Sequence, residues 1–353
     1  MTLLRKSKIR VLIVDDSASV RMMLERIFSA DPAFEVAGSA RDGEEAIAAV
    51  ERLSPDVATM DIYMPGMNGH EATRRIMETH PIPIVIVSGN LDEEEVVSSF
   101  RAMEAGALAA VAKPRGAGHP EHEADCALLL SKVKLMAEVR VVKRWPRAGR
   151  RASPPLSRTA VGQAAEKPRV VAIGASTGGP VVINTILSAL APGFPLPVLI
   201  VQHMAPGFIR GFAEWLGLST RLPVHVASQG ERMLPGHVYI APEEFQMLAG
   251  IGDTISLTRS DPENGQRPSV STLFRSIADV YGSSAVGILL TGMGDDGARE
   301  LKLMKDKGAV TIAQDRQSSV IFGMPGEAVK LGAASYVFPP AKIVAYLLSS
   351  RIG

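Results

Sequence analysis

The chain has 353 residues, 46% of them hydrophobic and 21% charged, with a net charge of +1 at neutral pH. That balance excludes a chain governed by overall electrostatic attraction to nucleic acid or to a membrane surface. Its one cysteine, Cys126, excludes an intrachain disulfide, and no stretch approaches the roughly 18 apolar residues of a membrane span; the expectation is a cytoplasmic protein of two domains, with no membrane insertion.

Ile9 to Val14 is an apolar run that stops at Asp15-Asp16, and Val20, Met23, Leu24 and Ile27 follow at i, i+3, i+4 and i+7. This spacing predicts a buried strand and then a helix. The unit recurs. Strands are predicted over Phe34 to Gly38, Val57 to Met60, Ile82 to Val87 and Leu108 to Val111. Helices are predicted from Gly43, Gly69 and Asp92, with a last one over Ala124 to Val142 that carries Leu129, Val133 and Met136 on one stripe. Alternation of this kind predicts a doubly wound parallel sheet, which collects functional groups at the carboxyl ends of its strands. Here those ends carry Asp15, Asp16, Asp61, Ser88 and Lys113. Three neighbouring carboxylates call for a cation, and an oxygen-rich acidic pocket suits Mg²⁺. A lysine and a hydroxyl beside it suit phosphoryl oxygens.

The motifs VLIVDDS, MDIYMPGMNG, VSG and AKP resemble those of a two-component response-regulator receiver domain, assigned to residues 1–142. The resemblance implies a flavodoxin-like, five-stranded parallel sheet in which Asp61 accepts a phosphoryl group from a histidine kinase. It also implies that Asp16 and Asp61 hold Mg²⁺ with the carbonyl of Tyr63, that Asp15 acts through water, and that Ser88 and Lys113 read the phosphate. Ala110 departs from the pattern, because receivers usually carry an aromatic residue three positions before the lysine.

From Lys143 the composition changes. Lys143 to Lys167 holds seven Lys or Arg against one Glu and has almost no apolar periodicity, so residues 143–168 read as a basic, flexible linker.

At Arg169 the strand-helix rhythm resumes with VVAIGASTGGP, Val170 to Pro180. A buried strand runs into a Gly-rich turn that holds Ser176 next to a helix N-terminus, where backbone N–H groups favour developing negative charge. Taken alone, such a serine is more often a helix cap, and the glycine spacing does not fit a dinucleotide turn. Two further strand ends bring partners. Leu196 to Val201 is followed by Gln202-His203-Met204, and Val286 to Gly297, VGILLTGMGDDG, places Asp295 and Asp296 in a second Gly-rich turn. Serine, histidine and an aspartate at three strand ends of one sheet meet the needs of a nucleophile, its base and the group that orients the base; a metal site from His203, Asp295 and Asp296 lacks a further ligand at suitable spacing. Pro235 to Pro242 with Glu244 to Leu257 predict a hairpin insertion, Gly308 to Ala313 a further strand, and Lys342 to Leu348 part of a closing helix.

GASTGGP, VQHM and LLTGMGDDGA resemble the signatures of the chemotaxis protein-glutamate methylesterase domain, here over residues 169–353 as a doubly wound, mostly parallel α/β fold behind a receiver and linker. The resemblance implies a triad of Ser176, His203 and Asp296, with no metal at that site and with Asp295 left to solvent. It implies hydrolysis of glutamate γ-methyl esters and of glutamine amides on methyl-accepting chemotaxis receptors, under phosphorylation control. The Met293 N–H is the first candidate oxyanion donor and Thr177 the second. Nucleic acid is not an expected partner, because the segment after Arg169 is a large α/β domain rather than a compact helical reader.

Overall fold

The protein's computed structural model describes residues 8–89, 93–139, 141, 167–349 and 352. The chain divides into two compact units, Met1–Arg150 and Arg151–Gly353. Most of the predicted linker, and the expected helix start at Asp92, lie outside the described residues. Among the described residues no helix is long and apolar enough to cross a membrane.

The N-terminal unit alternates β1 (Ile9–Val14), α1 (Ala18–Ala30), β2 (Phe34–Ala40), α2 (Gly43–Leu53), β3 (Val57–Met60), α3 (Gly69–Thr79), β4 (Ile84–Ser88), α4 (Glu93–Ala105), β5 (Ala109–Ala112) and α5 (His122–Ala137). Its five parallel strands lie in the order β2-β1-β3-β4-β5. Because β1 feeds β2 on one side while β3 lies on the other, the loops after β1 and β3 diverge and open a crevice at their carboxyl ends. The last helix ends at Ala137 rather than Val142, where the Glu138 N–H donates to both the Leu135 and Met136 carbonyls and tightens the final turn. Leu129, Val133 and Met136 are its buried stripe.

The C-terminal unit is built on seven parallel strands in the order β14-β13-β12-β6-β7-β9-β8. In chain order these are β6 (Val170–Ala175), α6 (Gly179–Leu187), β7 (Val198–Gln202), α7 (Ile209–Ser219), β8 (Val224–Val226) and β9 (Val238–Ile240). An antiparallel pair follows, β10 (Gln246–Gly250) with β11 (Thr254–Thr258), and then α8 (Val270–Tyr281), β12 (Ala285–Leu289), α9 (Ala298–Asp306), β13 (Val310–Gln314), α10 (Met324–Lys330), β14 (Tyr336–Phe338) and α11 (Pro340–Leu347). Every residue of β6, β7 and β12 is buried, which is why these strands read as unbroken apolar runs. The hairpin expected from Pro235 onward is only partly present. β10 and β11 form it, but Val238–Ile240 is fully buried and joins the main sheet between β7 and β8.

The switch in strand order falls between β6 and β12, and Thr291 fastens the loops there. Its hydroxyl donates to the Thr177 carbonyl at 2.9 Å and accepts from the Ile321 N–H at 3.0 Å, while its own N–H donates to Gln314 Oε1 at 2.8 Å. Replacing it by a side chain of the same shape, Thr291→Val, strands the buried Thr177 carbonyl and the part-buried Ile321 N–H. The expected cost is about 2 kcal/mol, to be read as a lower urea midpoint for unfolding of the C-terminal unit; an unchanged midpoint would show that the fastening is idle.

Candidate active site

Three strand ends converge in the C-terminal unit. Ser176 begins where β6 stops and His203 where β7 stops, and the parallel register Ala175↔Gln202 continues into a His203 N–H to Ala175 carbonyl bond of 2.9 Å. The two residues therefore sit one step further along adjacent strands, which run about 4.8 Å apart. Asp296 comes from the turn between β12 and α9, across the switch point. Its Oδ2 lies 2.8 Å from His203 Nε2. Both side chains are nearly enclosed, and so is Ser176. Asp295 is exposed and does not join them.

The Asp296 carboxylate is held by a helix start. Val270 N–H donates to Oδ2 at 2.7 Å, and Ser271 N–H to Oδ1 at 3.1 Å, so the charge sits on the N-terminus of α8. Ser269 Oγ and Asn264 Nδ2 also donate to Oδ1, at 2.8 and 3.1 Å. Burial pushes the carboxyl toward its neutral form, but the bond and charge of His203, with the other donors, hold it well below the usual carboxylate range. An ionised Asp296 can only accept, so Nε2 carries the proton and Nδ1 is left as the basic nitrogen of His203.

Gln202 and Gly292 bring the parts close. The buried Gln202 amide donates to the carbonyls of both Ser176 and His203, at 2.9 and 2.7 Å. A Cβ at Gly292 would stand 2.7 Å from the Cβ of Ser176, so only glycine lets the two turns touch. Met293 is exposed, and neither its N–H nor that of Thr177 donates to an acceptor among the described residues. Sequence reasoning missed Gln202, Thr291, Ser269 and Asn264. Two of these carried a local signal: Asn264-Gly265 is a two-residue turn with φ of 51° and 71° that links Glu263 to Gln266 by a pair of backbone bonds, and Ser269 is a helix cap.

In the N-terminal unit the crevice gathers Asp15, Asp16 and Asp61, with one carboxylate oxygen of each within 4.8 Å of the others. Asp15 and Asp61 are buried and Asp16 is exposed. Lys113 Nζ lies 2.8 Å from Asp15 Oδ2 and 3.1 Å from Asp61 Oδ2. Burial pushes the Asp61 carboxyl up to about 6, against the pull of Lys113 and with the push of Asp15. Burial also opposes charge on Lys113, but the two aspartates hold its ammonium above the ordinary range. Two buried acids and one lysine leave an excess of negative charge, and the hard oxygen donors fit a divalent cation such as Mg²⁺. Ser88 is brought to the end of β4, where its hydroxyl donates to Glu95 Oε1 of α4 at 2.5 Å. Tyr63 lies in the β3–α3 loop two residues beyond Asp61; its side chain is half-exposed, with its hydroxyl 3.3 Å from that of Ser98.

Residues 171–347 match a family model described as CheB methylesterase, and residues 11–119 one described as response regulator receiver domain. A protein-glutamate methylesterase/protein-glutamine glutaminase of Geobacter metallireducens is 61% identical over 342 residues, which cover 97% of this chain and 98% of that protein. A counterpart from Nitrosospira multiformis is 54% identical over 96% of each chain. The crystal structure of the Thermotoga maritima CheB methylesterase catalytic domain is 39% identical, with a TM-score of 0.50, and covers 51% of this chain and 97% of that one.

The raised Asp61 carboxyl makes a stability statement about the metal-free protein. A folded value near 6 against an ordinary 3.8 means that the stabilisation from protonated Asp61 is complete below about 4 and is lost as pH rises through 6. Asp61→Asn, which removes the buried charge, is expected to raise the unfolding midpoint of the N-terminal unit in EDTA at pH 7, by on the order of 2 kcal/mol, and to do little at pH 4. An equal gain at both pH values would contradict the assignment.

Proposed function

The chain belongs to the CheB methylesterase family, and from that membership we propose that it hydrolyses glutamate γ-methyl esters and glutamine side-chain amides of chemoreceptors by a Ser176–His203–Asp296 mechanism, governed by phosphorylation of Asp61. The observation that carries the chemistry is the 2.8 Å bond from His203 Nε2 to a carboxylate that is buried and kept ionised, one strand from Ser176. In this reading His203 Nδ1 takes the proton of Ser176 as Oγ attacks the γ-carbonyl. The oxyanion is received by the Met293 N–H, with that of Thr177 second. Each such donor is worth about 10² to 10³ in rate. The proton passes from the imidazolium to the leaving methoxide, methanol departs, and an acyl-enzyme remains. Water, giving its proton to the same nitrogen, then releases the glutamate carboxylate and restores Ser176. The amide reaction differs only in its leaving group, ammonia.

The receiver supplies the control. Asp15, Asp16 and Asp61 would hold Mg²⁺ with the carbonyl of Tyr63, and the cation's charge offsets theirs and that of an incoming phosphoryl group. Asp61 takes that group from a histidine kinase. Lys113 is already within ion-pair distance of Asp61, and Ser88 stands at the neighbouring strand end; these two would contact the phosphoryl oxygens. The added charge of about −1.5 to −2 is the input.

Methanol release from methylated receptor membranes, with and without a small phosphoryl donor, tests both parts. Ser176→Ala is expected to abolish release. Asp61→Asn should retain the basal rate and lose the response to the donor. Release by Ser176→Ala at the wild-type rate would overturn the mechanism, and a donor response surviving Asp61→Asn would overturn the control.

A further inference from the structure

Asp296 is served by a residue whose role no strand-end motif announces. Ser269 precedes α8 and is wholly buried. Its hydroxyl accepts from the Ser271 N–H at 3.1 Å, a proton shared with Asp296 Oδ1, and donates its own proton to Asp296 Oδ1 at 2.8 Å. Its backbone N–H donates to Oε1 of the equally buried Gln246 at 2.7 Å, and Gln246 Nε2 in turn donates to the Gln266 carbonyl at 3.1 Å. The serine is clamped on both sides, and the carboxylate plane is clamped with it. Oδ1 is filled by Ser269, Asn264 and the Ser271 N–H, so Oδ2 is the oxygen turned to His203.

We propose that Ser269 is a positioning residue of the hydrolytic site, whose hydroxyl fixes the Asp296 carboxylate and sets the basicity of His203 through it. The inference rests on the triad reading given above. Each donor to a carboxylate draws off part of its charge and makes it a weaker acceptor for its other partners. With Ser269 in place, Asp296 is a weaker partner for the imidazolium of His203 than an unshared carboxylate would be. Removing the hydroxyl returns charge to Asp296, strengthens its hold on imidazolium and raises the pH at which the base is lost. Among the described residues the other charged groups beside the carboxylate are Glu263 and Glu300, both paired with Arg275, and the exposed Asp295. The bond from Arg275, against the effect of burial, keeps Glu263 below the usual carboxylate range and away from the imidazole limb.

The test is the pH dependence of kcat/KM for methanol release from methylated receptor membranes, by the full chain and by Ser269→Ala and Ser269→Gly. The second variant matters because glycine is nearly as good a helix cap as serine, whereas alanine is poorer by about 1 kcal/mol. Both variants are expected to lower kcat about tenfold with KM little changed, and to move the acid limb up by about half a pH unit. A loss of kcat in both with the limb at its wild-type position would mean that Ser269 only supports the fold, and would overturn the proposal. Wild-type behaviour of either folded variant would overturn it as well. Absence of any Ser176-dependent release by the wild type is a separate outcome, which would remove the triad reading and this inference with it.

Discussion

A carboxylate taken out of water must be given donors to replace it, or it takes up a proton. Among the described residues Asp296 has five: two backbone N–H groups from the start of α8, the hydroxyl of Ser269, the amide of Asn264 and the imidazole of His203. That requirement draws together segments far apart in the chain. The α8 terminus has to meet the β12 turn, the Asn264-Gly265 turn has to fold back over both, and the end of β7 has to present its histidine. Once those approaches are made, the tautomer of His203 is decided, because an ionised acceptor leaves Nε2 no alternative to carrying the proton.

The same residue type is used in the opposite way in the N-terminal unit. Asp61 is also buried, yet its ionised form has few donors: Lys113, which it shares with Asp15, and the Ile62 N–H. Asp296 is consequently held below the usual carboxylate range while Asp61 is pushed up to about 6. One carboxylate is satisfied and permanent. The other is under-supplied, which is the condition in which a site favours an incoming cation. Both stand at the switch point of a parallel sheet, so the contrast comes from the donors around each crevice rather than from the architecture.

Much of this was readable from residue patterns, for identifiable reasons. Strands buried on both faces leave continuous apolar runs, and β1, β3, β4, β6, β7 and β12 could be placed along with the polar residues that end them. Ser176, His203 and the receiver residues were legible as candidates because each stands at the end of such a run, and Asp296 because it lies in the Gly-rich turn that follows one. The three-residue strands β8 and β14 were not, since their half-exposed residues leave no pattern. Val238–Ile240 was misassigned because a strand that short cannot show which sheet it enters. The supporting residues were invisible for a different reason: Gln202 and Thr291 act through backbone groups of distant segments and Ser269 through a carboxylate 27 positions away, and a glutamine or a serine looks the same in sequence whether it clips two turns together or faces solvent.

The His203–Asp296 bond spans 93 positions of the chain, and the strands between them pair out of sequence order. During synthesis the chain must therefore emerge past Asp296 before the carboxylate, its helix cap and the imidazole can meet, and long-range parallel pairing is slow to form. Ser176 and His203 are made early, but the His203–Asp296 pair forms only once the chain reaches Asp296. A nascent chain that stops short of Asp296 thus presents the histidine without the carboxylate that fixes its tautomer, and the site's geometry arrives late in synthesis.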